Sequence, residues 1–195
     1  MEGMMLLYPD RTSLNAGQKS RECLARLGEC YEVLAPKELV ARDSGYAHIA
    51  SKIHAALYAP GCGSGNCGAF TRALAAQAIS EGTVFKAHTE VYGVVISRGR
   101  AVAVKTNTGE IPADLVVVAA GHGSPRVMQG ISRLPIASVR GYSVTVPIAR
   151  LDVVPRIGGY DDATHTAFAP IGTRMRMATA AEFGAARATD ARFAV

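Results

Sequence analysis

The chain has 195 residues, of which 49% are hydrophobic and 19% are charged, and its formal net charge is +5. This composition is that of a globular protein with one core, or one domain and a smaller lobe, and it excludes an intrinsically disordered chain. The sequence has no tryptophan, no basic run and no apolar stretch near 20 residues, which argues against a nucleic-acid-binding protein and against a membrane-spanning one.

Short strands and helices are expected to alternate before residue 60. Proline and glycine residues set most of the boundaries, because proline ends strands and opens helices and glycine ends helices. The expected elements are a strand at 4–8, a helix at 13–27 capped by Thr12 or Ser13, a strand at 31–34, a helix at 37–41 after Pro36, and a strand at 55–58.

The middle of the chain reads as a helix followed by strands. Residues 69–81 predict a helix, because Phe70, Leu74 and Ile79 fall on one helical face and Gly82 follows. A strand is expected at 84–87, and strands at 91–97 and 101–106 should form a tight hairpin.

Residues 115–120 form an entirely apolar run that stops at Gly121. A strand with no polar face is expected to be buried on both sides, as in a parallel sheet. Ligands in such sheets lie past the carboxyl ends of strands, and small residues there allow close approach. The pattern therefore predicts a large ligand over Ala119, Ala120 and Gly121.

The last third of the chain changes to an antiparallel pattern. Residues 141–148 alternate apolar and polar side chains, which is typical of a half-buried strand. Residues 164–169 and 174–180 predict a hairpin, and the alanine- and arginine-rich tail from Ala185 predicts a helix.

Three motifs that could indicate binding or catalysis are better explained by structural roles. Residues 63–68 match G-x-G-x-x-G before a helix, but Pro60 interrupts the preceding segment, so a glycine-rich helix-capping loop is favoured over a dinucleotide fingerprint. The four cysteines lack C-x-x-C spacing and no histidine pair completes a metal set, so free thiols and no metal site are expected. Among the histidines, His122 follows the apolar run, where a packed or solvent-facing role is favoured.

Arg174 and Arg176 fall on the same face of the expected last strand, and Tyr142 lies on the strand before. An arginine and a tyrosine that face a pocket would bind a substrate carboxylate. From spacing alone, a solvated face of the sheet is the favoured alternative.

Taken together, these segments resemble the flavin-dependent D-amino-acid dehydrogenase group of the D-amino-acid oxidase-like (DAO) superfamily, over nearly the whole chain. Residues 141–147, GYSVTVP, are the most specific piece. The other segments that agree in order and spacing are 70–75 with Gly82, 89–91, 109–110, 113–121, 164–165, 174–178 and 181–183.

The resemblance implies an α/β (α+β) fold, with a partial FAD-binding Rossmann-like layer and a mixed, largely antiparallel substrate-domain sheet. It implies FAD as the cofactor, with Val91 at the adenine-contacting position and Ala119, Ala120 and Gly121 flanking the FAD. It places Tyr142 near the flavin; no catalytic residue is assigned. The implied reaction, part of amino-acid catabolism, is hydride removal from the α-carbon of a D-amino acid, with electrons passing to a quinone-linked acceptor.

Relative to that family, the chain is expected to be truncated at both ends, without the G-x-G-x-x-G pyrophosphate site. We expect residues 1–60 to belong to the substrate lobe, 61–130 to an FAD-domain-like segment and 131–195 to the antiparallel substrate lobe.

The alternatives to a D-amino-acid dehydrogenase are a non-catalytic remnant or interaction protein, and a related flavin amine oxidase acting on glycine, an opine or a secondary amine. The apolar strand at 115–120 would leave an open sheet edge, so an oligomer or a rearranged strand order is expected there, with a homo-oligomer or a partner subunit as the possible partner. The expected location is the cytoplasm, with peripheral contact to the inner membrane as an alternative.

Overall fold

The computed structural model describes residues 3–183. The chain divides into two compact units, of which the first contains residues 3–71 and 141–181 and the second contains residues 72–140 and 182–183.

The described elements agree in type with most of the sequence-based expectations. The strands are β1 (Met4–Tyr8), β2 (Glu32–Leu34), β3 (Ala55–Ala59), β4 (Val91–Ser97), β5 (Arg100–Thr106), β6 (Gly109–Pro112), β7 (Val139–Pro147), β8 (Gly159–Asp161), β9 (Thr166–Ile171) and β10 (Arg174–Phe183). The α-helices are α1 (Arg11–Ser20), α2 (Glu22–Ala25), α3 (Pro36–Arg42), α4 (Cys67–Ser80) and α5 (Ser124–Val127). Short 3-10 turns lie at Ser44–Tyr46, Ala50–Lys52, Gly121–Gly123 and Leu151–Val153.

The first unit is built on a seven-stranded sheet in the order β2-β3-β1-β8-β9-β10-β7. β1 is antiparallel to β3 and parallel to β8. β8, β9 and β10 follow as antiparallel neighbours. The mixed, largely antiparallel sheet that the sequence predicted is therefore confirmed. Both faces of β1 are covered, since Met5 and Leu7 enter one apolar cluster and Leu6 and Tyr8 enter another.

A buried carboxylate joins the segment after α3 to the segment before β8. Asp43 is 1% exposed, and its Oδ2 accepts hydrogen bonds from the backbone N–H groups of Arg156 (2.7 Å) and Ile157 (2.9 Å). Its Oδ1 accepts from the Gly45 N–H at 3.0 Å. Tyr46 donates its hydroxyl proton to the Ile157 carbonyl at 2.7 Å, and burial raises the pKa of this tyrosine. These bonds fix the position at which the chain enters β8.

The second unit contains an antiparallel sheet in the order β4-β5-β6. The hairpin expected between 91–97 and 101–106 is confirmed, and its two turn residues, Arg98 and Gly99, have φ angles of 49° and 76°. Two successive positive φ angles are those of a type I′ turn, whose twist matches paired strands. β6 adds a short third strand that the sequence did not predict.

Several expected boundaries were wrong. The helix expected at 13–27 is two helices, and its cap is Asp10, whose carboxylate accepts from the Ser13 N–H at 2.8 Å. No strand forms at 84–87, where Val84 and Phe85 are exposed. The helix expected from Ala185 lies outside the described residues.

The apolar run at 115–120 is not the buried parallel strand that its composition predicted. Within residues 3–183 it pairs with no strand, and Leu115 and Val117 are 81% and 80% exposed. Val116 and Val118 are half-buried and line a cavity of the second unit. An apolar strand is buried only where neighbouring strands are present, and the described residues provide none here.

We expect Asp43→Ala to destabilise the first unit by at least about 3 kcal/mol, because each buried N–H left without an acceptor costs about 1–3 kcal/mol. Denaturant unfolding followed by circular dichroism measures the change. Asp152→Ala is the control, since Asp152 is exposed and pairs only with nearby Arg150 among the described residues. Equal unfolding midpoints for the two variants would contradict the role given to Asp43.

Candidate functional site

One face of the seven-stranded sheet carries the residues of the candidate site. Tyr160 on β8 is directly opposite Ala167 on β9, and Ala167 is directly opposite Ala178 on β10. Residues directly opposite one another share a face, and so do residues two apart on a strand. Arg176 therefore lies on the same face as Tyr160, Ala167 and Ala178, and we call this surface the open face.

Helix α1 covers only part of this side of the sheet. Leu14 of α1 packs with Leu6, Tyr8 and Leu57 of the strands on the β1–β3 side, and Tyr160 is partly buried against that cluster. Arg176 and Ser143 are exposed. The open face over β9, β10 and β7 is thus accessible within the first unit, while the β1–β3 side is packed.

Arg176 is held in place by two hydroxyl groups of β7. Its Nη2 donates to Ser143 Oγ at 2.7 Å, and its Nη1 donates to Thr145 Oγ1 at 3.4 Å. Among residues 3–183, no carboxylate lies within ion-pair distance of Arg176 or Arg174. The Arg176 guanidinium is therefore oriented but not neutralised, and it can bind a carboxylate through paired hydrogen bonds.

Arg174 begins β10 directly opposite Ile171. It is exposed, and it lies two positions before Arg176 and so on the open face, as the spacing predicted.

Tyr142 lies on β7, the strand next to β10 in the sheet. It lines a cavity of about 500 Å³ together with Gly141, Tyr160, His165 and residues 178–181. Ala178 belongs both to this cavity and to the open face. Tyr142 alternates with Ser143 on β7, so it lies on the face of the sheet opposite Arg176, and the structure does not place the two side chains together on the open face.

A tyrosine–histidine pair forms one side of this cavity. The Tyr160 hydroxyl and His165 Nδ1 are 2.9 Å apart, and the two ring centroids are 6.3 Å apart. His165 has a φ of 51°, which is unusual for a residue other than glycine. Asp161 holds this turn, because its carboxylate accepts from Ala163 N–H and from the Thr164 hydroxyl.

Sequence reasoning missed Tyr160 and gave no site role to His165. β8 has only three residues, so it lacks the alternating pattern that identifies a strand. Its position depends on parallel pairing with β1, more than 150 residues earlier in the chain. No local signal in the sequence carries that information.

The glycine-rich loop lies on the first unit's sheet. A Cβ added at Gly158 would be 2.5 Å from Ser64 Oγ and 3.3 Å from Ala169 Cα. Asn66 caps α4, because its side chain accepts from the Ala69 N–H at 3.0 Å. The favoured interpretation of a helix-capping loop agrees with this geometry, since the capped N–H group is not available to a phosphate.

Three of the four predicted cofactor residues meet in the second unit. Val91, Ala119 and Ala120 line a cavity of about 360 Å³ whose other walls are valines: Val94, Val104, Val116, Val117, Val118 and Val127. Gly121, with a φ of 54°, follows Ala120 and begins a 3-10 turn outside the cavity lining. Apolar walls with two small residues fit a flat ring such as the adenine of FAD.

Other candidate chemistry is sparse in the described part of the chain. Cys23, Cys30, Cys62 and Cys67 form no disulfide in the structure. Within residues 3–183 no three histidine, cysteine or acidic side chains are grouped to hold a metal ion. In the same residues no helix has the length and apolar character needed to span a bilayer.

Comparisons with known proteins agree on one family. The family described as "DAO: FAD dependent oxidoreductase" matches residues 1–194. A D-amino acid dehydrogenase of Rhizobium johnstonii is 33% identical over 183 residues, which are 93% of this chain and 44% of that protein. A D-amino acid dehydrogenase of Rhizobium rhizogenes is 34% identical over 184 residues, again 93% and 44%. The chain thus spans less than half the length of these relatives.

Solved structures share the fold at lower identity. L-proline dehydrogenase from P. horikoshii has a TM-score of 0.79 and 19% identity, over 90% of this chain and 48% of that one. Glycine oxidase from Geobacillus kaustophilus has a TM-score of 0.78 and 21% identity, over 94% and 48%.

We expect Gly158→Ala to destabilise the first unit by about 1–3 kcal/mol, because the added methyl group overlaps Ser64 Oγ. The cost should be smaller in a Ser64→Gly background, where that oxygen is removed. Denaturant unfolding of the two single variants and the double variant gives the coupling energy. Strictly additive changes in the free energy of unfolding would show that Ser64 of the glycine-rich loop does not contact Gly158.

Proposed function

The chain belongs to the DAO family of FAD-dependent oxidoreductases, and on that basis we propose that it takes part in the oxidative deamination of a D-amino acid. The single observation that carries the proposal is Arg176, an oriented guanidinium on the open face with no carboxylate at ion-pair distance among residues 3–183. The similarity to D-amino acid dehydrogenases supports the choice of substrate.

Substrate recognition is assigned to the first unit, residues 3–71 and 141–181, which overlaps most of the substrate lobe expected at 1–60 and 131–195. Arg176 binds the substrate carboxylate, and Ser143 and Thr145 hold its guanidinium in the required orientation. Arg174 adds a second positive charge on the same face, which attracts the anionic end of an amino acid. Tyr142 bounds the adjoining cavity.

Cofactor contact is assigned to the segment 61–130. Val91, Ala119 and Ala120 would hold the adenine in the valine-lined cavity, and Gly121 would leave room beside it. When bound, FAD supplies the acceptor for the hydride of the substrate α-carbon. The amine loses a proton, and the resulting imino acid hydrolyses to a 2-oxo acid and ammonia. We propose a quinone-linked acceptor for the electrons, as the resemblance implies.

We expect Val91→Trp to weaken FAD binding at least about tenfold, because an indole fills much of the cavity that would take the adenine. Quenching of flavin fluorescence measures binding, and adenosine monophosphate as a competitor tests the adenine part alone. Val102→Trp is the matched control, since Val102 lies on β5 outside the cavity and is 41% exposed. An equal loss of FAD affinity in both variants would contradict the assignment of the adenine to the cavity at Val91.

The activity test is anaerobic reduction of the FAD-loaded chain by D- and L-amino acids, followed by transfer to a dye acceptor. We expect reduction by D-amino acids only, and a large loss in Arg176→Ala with partial retention in Arg176→Lys, because lysine keeps the charge but loses the paired geometry. A folded chain that takes up no FAD would contradict the proposal and favour a non-catalytic interaction protein. Reduction by glycine or a secondary amine alone would favour a related amine oxidase.

A further inference from the structure

We propose that the cavity beside Arg176 receives the substrate side chain and that it selects aromatic D-amino acids. The inference rests on the proposed function and adds the class of substrate to it. The cavity is the one lined by Tyr142, Tyr160, His165 and the small residues of β7 and β10, and we call it the side-chain cavity.

The position of the side-chain cavity follows from the strand spacing. Ala178 lines it and lies two residues beyond Arg176 on the same face of β10. Two residues along a strand span roughly 7 Å. This separation is comparable with the distance between the carboxylate and the ring of an aromatic amino acid. A substrate held by Arg176 can therefore place its side chain over Ala178.

The walls of the side-chain cavity suit a flat ring. The Tyr160 ring lies on the open face and lines the cavity, and aromatic rings pair favourably in offset or edge-to-face arrangements. Most of the remaining lining consists of small residues, which are Gly141, Ala178, Thr179, Ala180 and Ala181. Its volume of about 500 Å³ is far more than the methyl group of alanine would fill. An alanine side chain would leave most of these walls without contacts.

The hydrogen bond between Tyr160 and His165 keeps the wall in place. Tyr160 is packed against the α1 cluster on one side and is bonded to His165 Nδ1 on the other. A wall that is already fixed costs little conformational entropy when a ligand binds. The same hydrogen bond gives the Tyr160 hydroxyl a partner within the protein. A substrate ring can therefore displace water from this wall without leaving the hydroxyl unpaired.

A second cavity near β10 cannot receive the substrate side chain, because it lies on the other side of the sheet. It has about 560 Å³ and is lined by Met175, Met177, Phe168 and Ala149 among others. Met175 and Met177 alternate with Arg176, so they lie on the opposite face. A ligand whose carboxylate is bound to Arg176 cannot reach it. This cavity provides the control for the experiment.

The test is calorimetric and NMR titration of the purified chain with D-phenylalanine, D-alanine and L-phenylalanine, which does not depend on turnover. We expect D-phenylalanine to bind at least about tenfold more tightly than D-alanine, because the ring buries apolar area that a methyl group does not. The His165 ring signals should shift with D-phenylalanine. Ala178→Leu and, independently, Ala181→Leu should fill the side-chain cavity and remove the preference while D-alanine binding is retained.

Ala149→Leu is the matched control, since it fills the opposite cavity and should leave the preference unchanged. Equal affinities for the two D-amino acids, unaffected by either filling variant, would overturn the inference and leave the proposed function intact. Loss of the preference in Ala149→Leu alone would also overturn it. Binding of neither D-amino acid by the folded chain would count against the proposed function itself.

Discussion

The register of β8, β9 and β10 is the constraint on which the rest of the candidate site depends. It places Tyr160, Ala167 and Ala178 in one row across three strands and puts Arg176 on the same face. A slip of one residue between β9 and β10 would exchange Arg176 for Met175 or Met177 on that face. The hydroxyl groups of β7 would then lose the guanidinium that they hold, and the apolar side chains that line the opposite cavity would be exposed.

Two features outside these strands hold that register. Asp43 and Tyr46 fix the chain where it enters β8, and β8 is paired in parallel with β1, which is buried from Met5 to Tyr8. Helix α1 covers the β1–β3 side of the sheet and stops short of the β7–β10 side. Under the proposed function, stability and substrate recognition are separated along one sheet, because the packed strands provide the core and the neighbouring strands remain accessible within the first unit.

Local features of the sequence predicted most of the helices and strands, but not which strands pair with one another. The turn at Arg98 and Gly99 and the helix after the glycine-rich loop have signals within a few residues, and both were found. The spacing of Arg174 and Arg176 was enough to place them on one face. β8 could not be predicted, because its place in the sheet depends on pairing with β1 across most of the chain. Tyr160 and His165 are close in sequence, but their contact was missed because β8 itself was not recognised as a strand. The run at 115–120 was predicted as buried because its composition was read as if partner strands were present. Leu115 and Val117 instead lie exposed in the described chain.

The most direct test of this account is a crystal structure of the chain soaked with D-phenylalanine. The account predicts the ligand carboxylate on Arg176, beside Ser143 and Thr145, with the ring over Ala178 and against Tyr160. A ligand seated against Met175 and Met177 on the other face of the sheet, or one that makes no contact with Arg176, would contradict it.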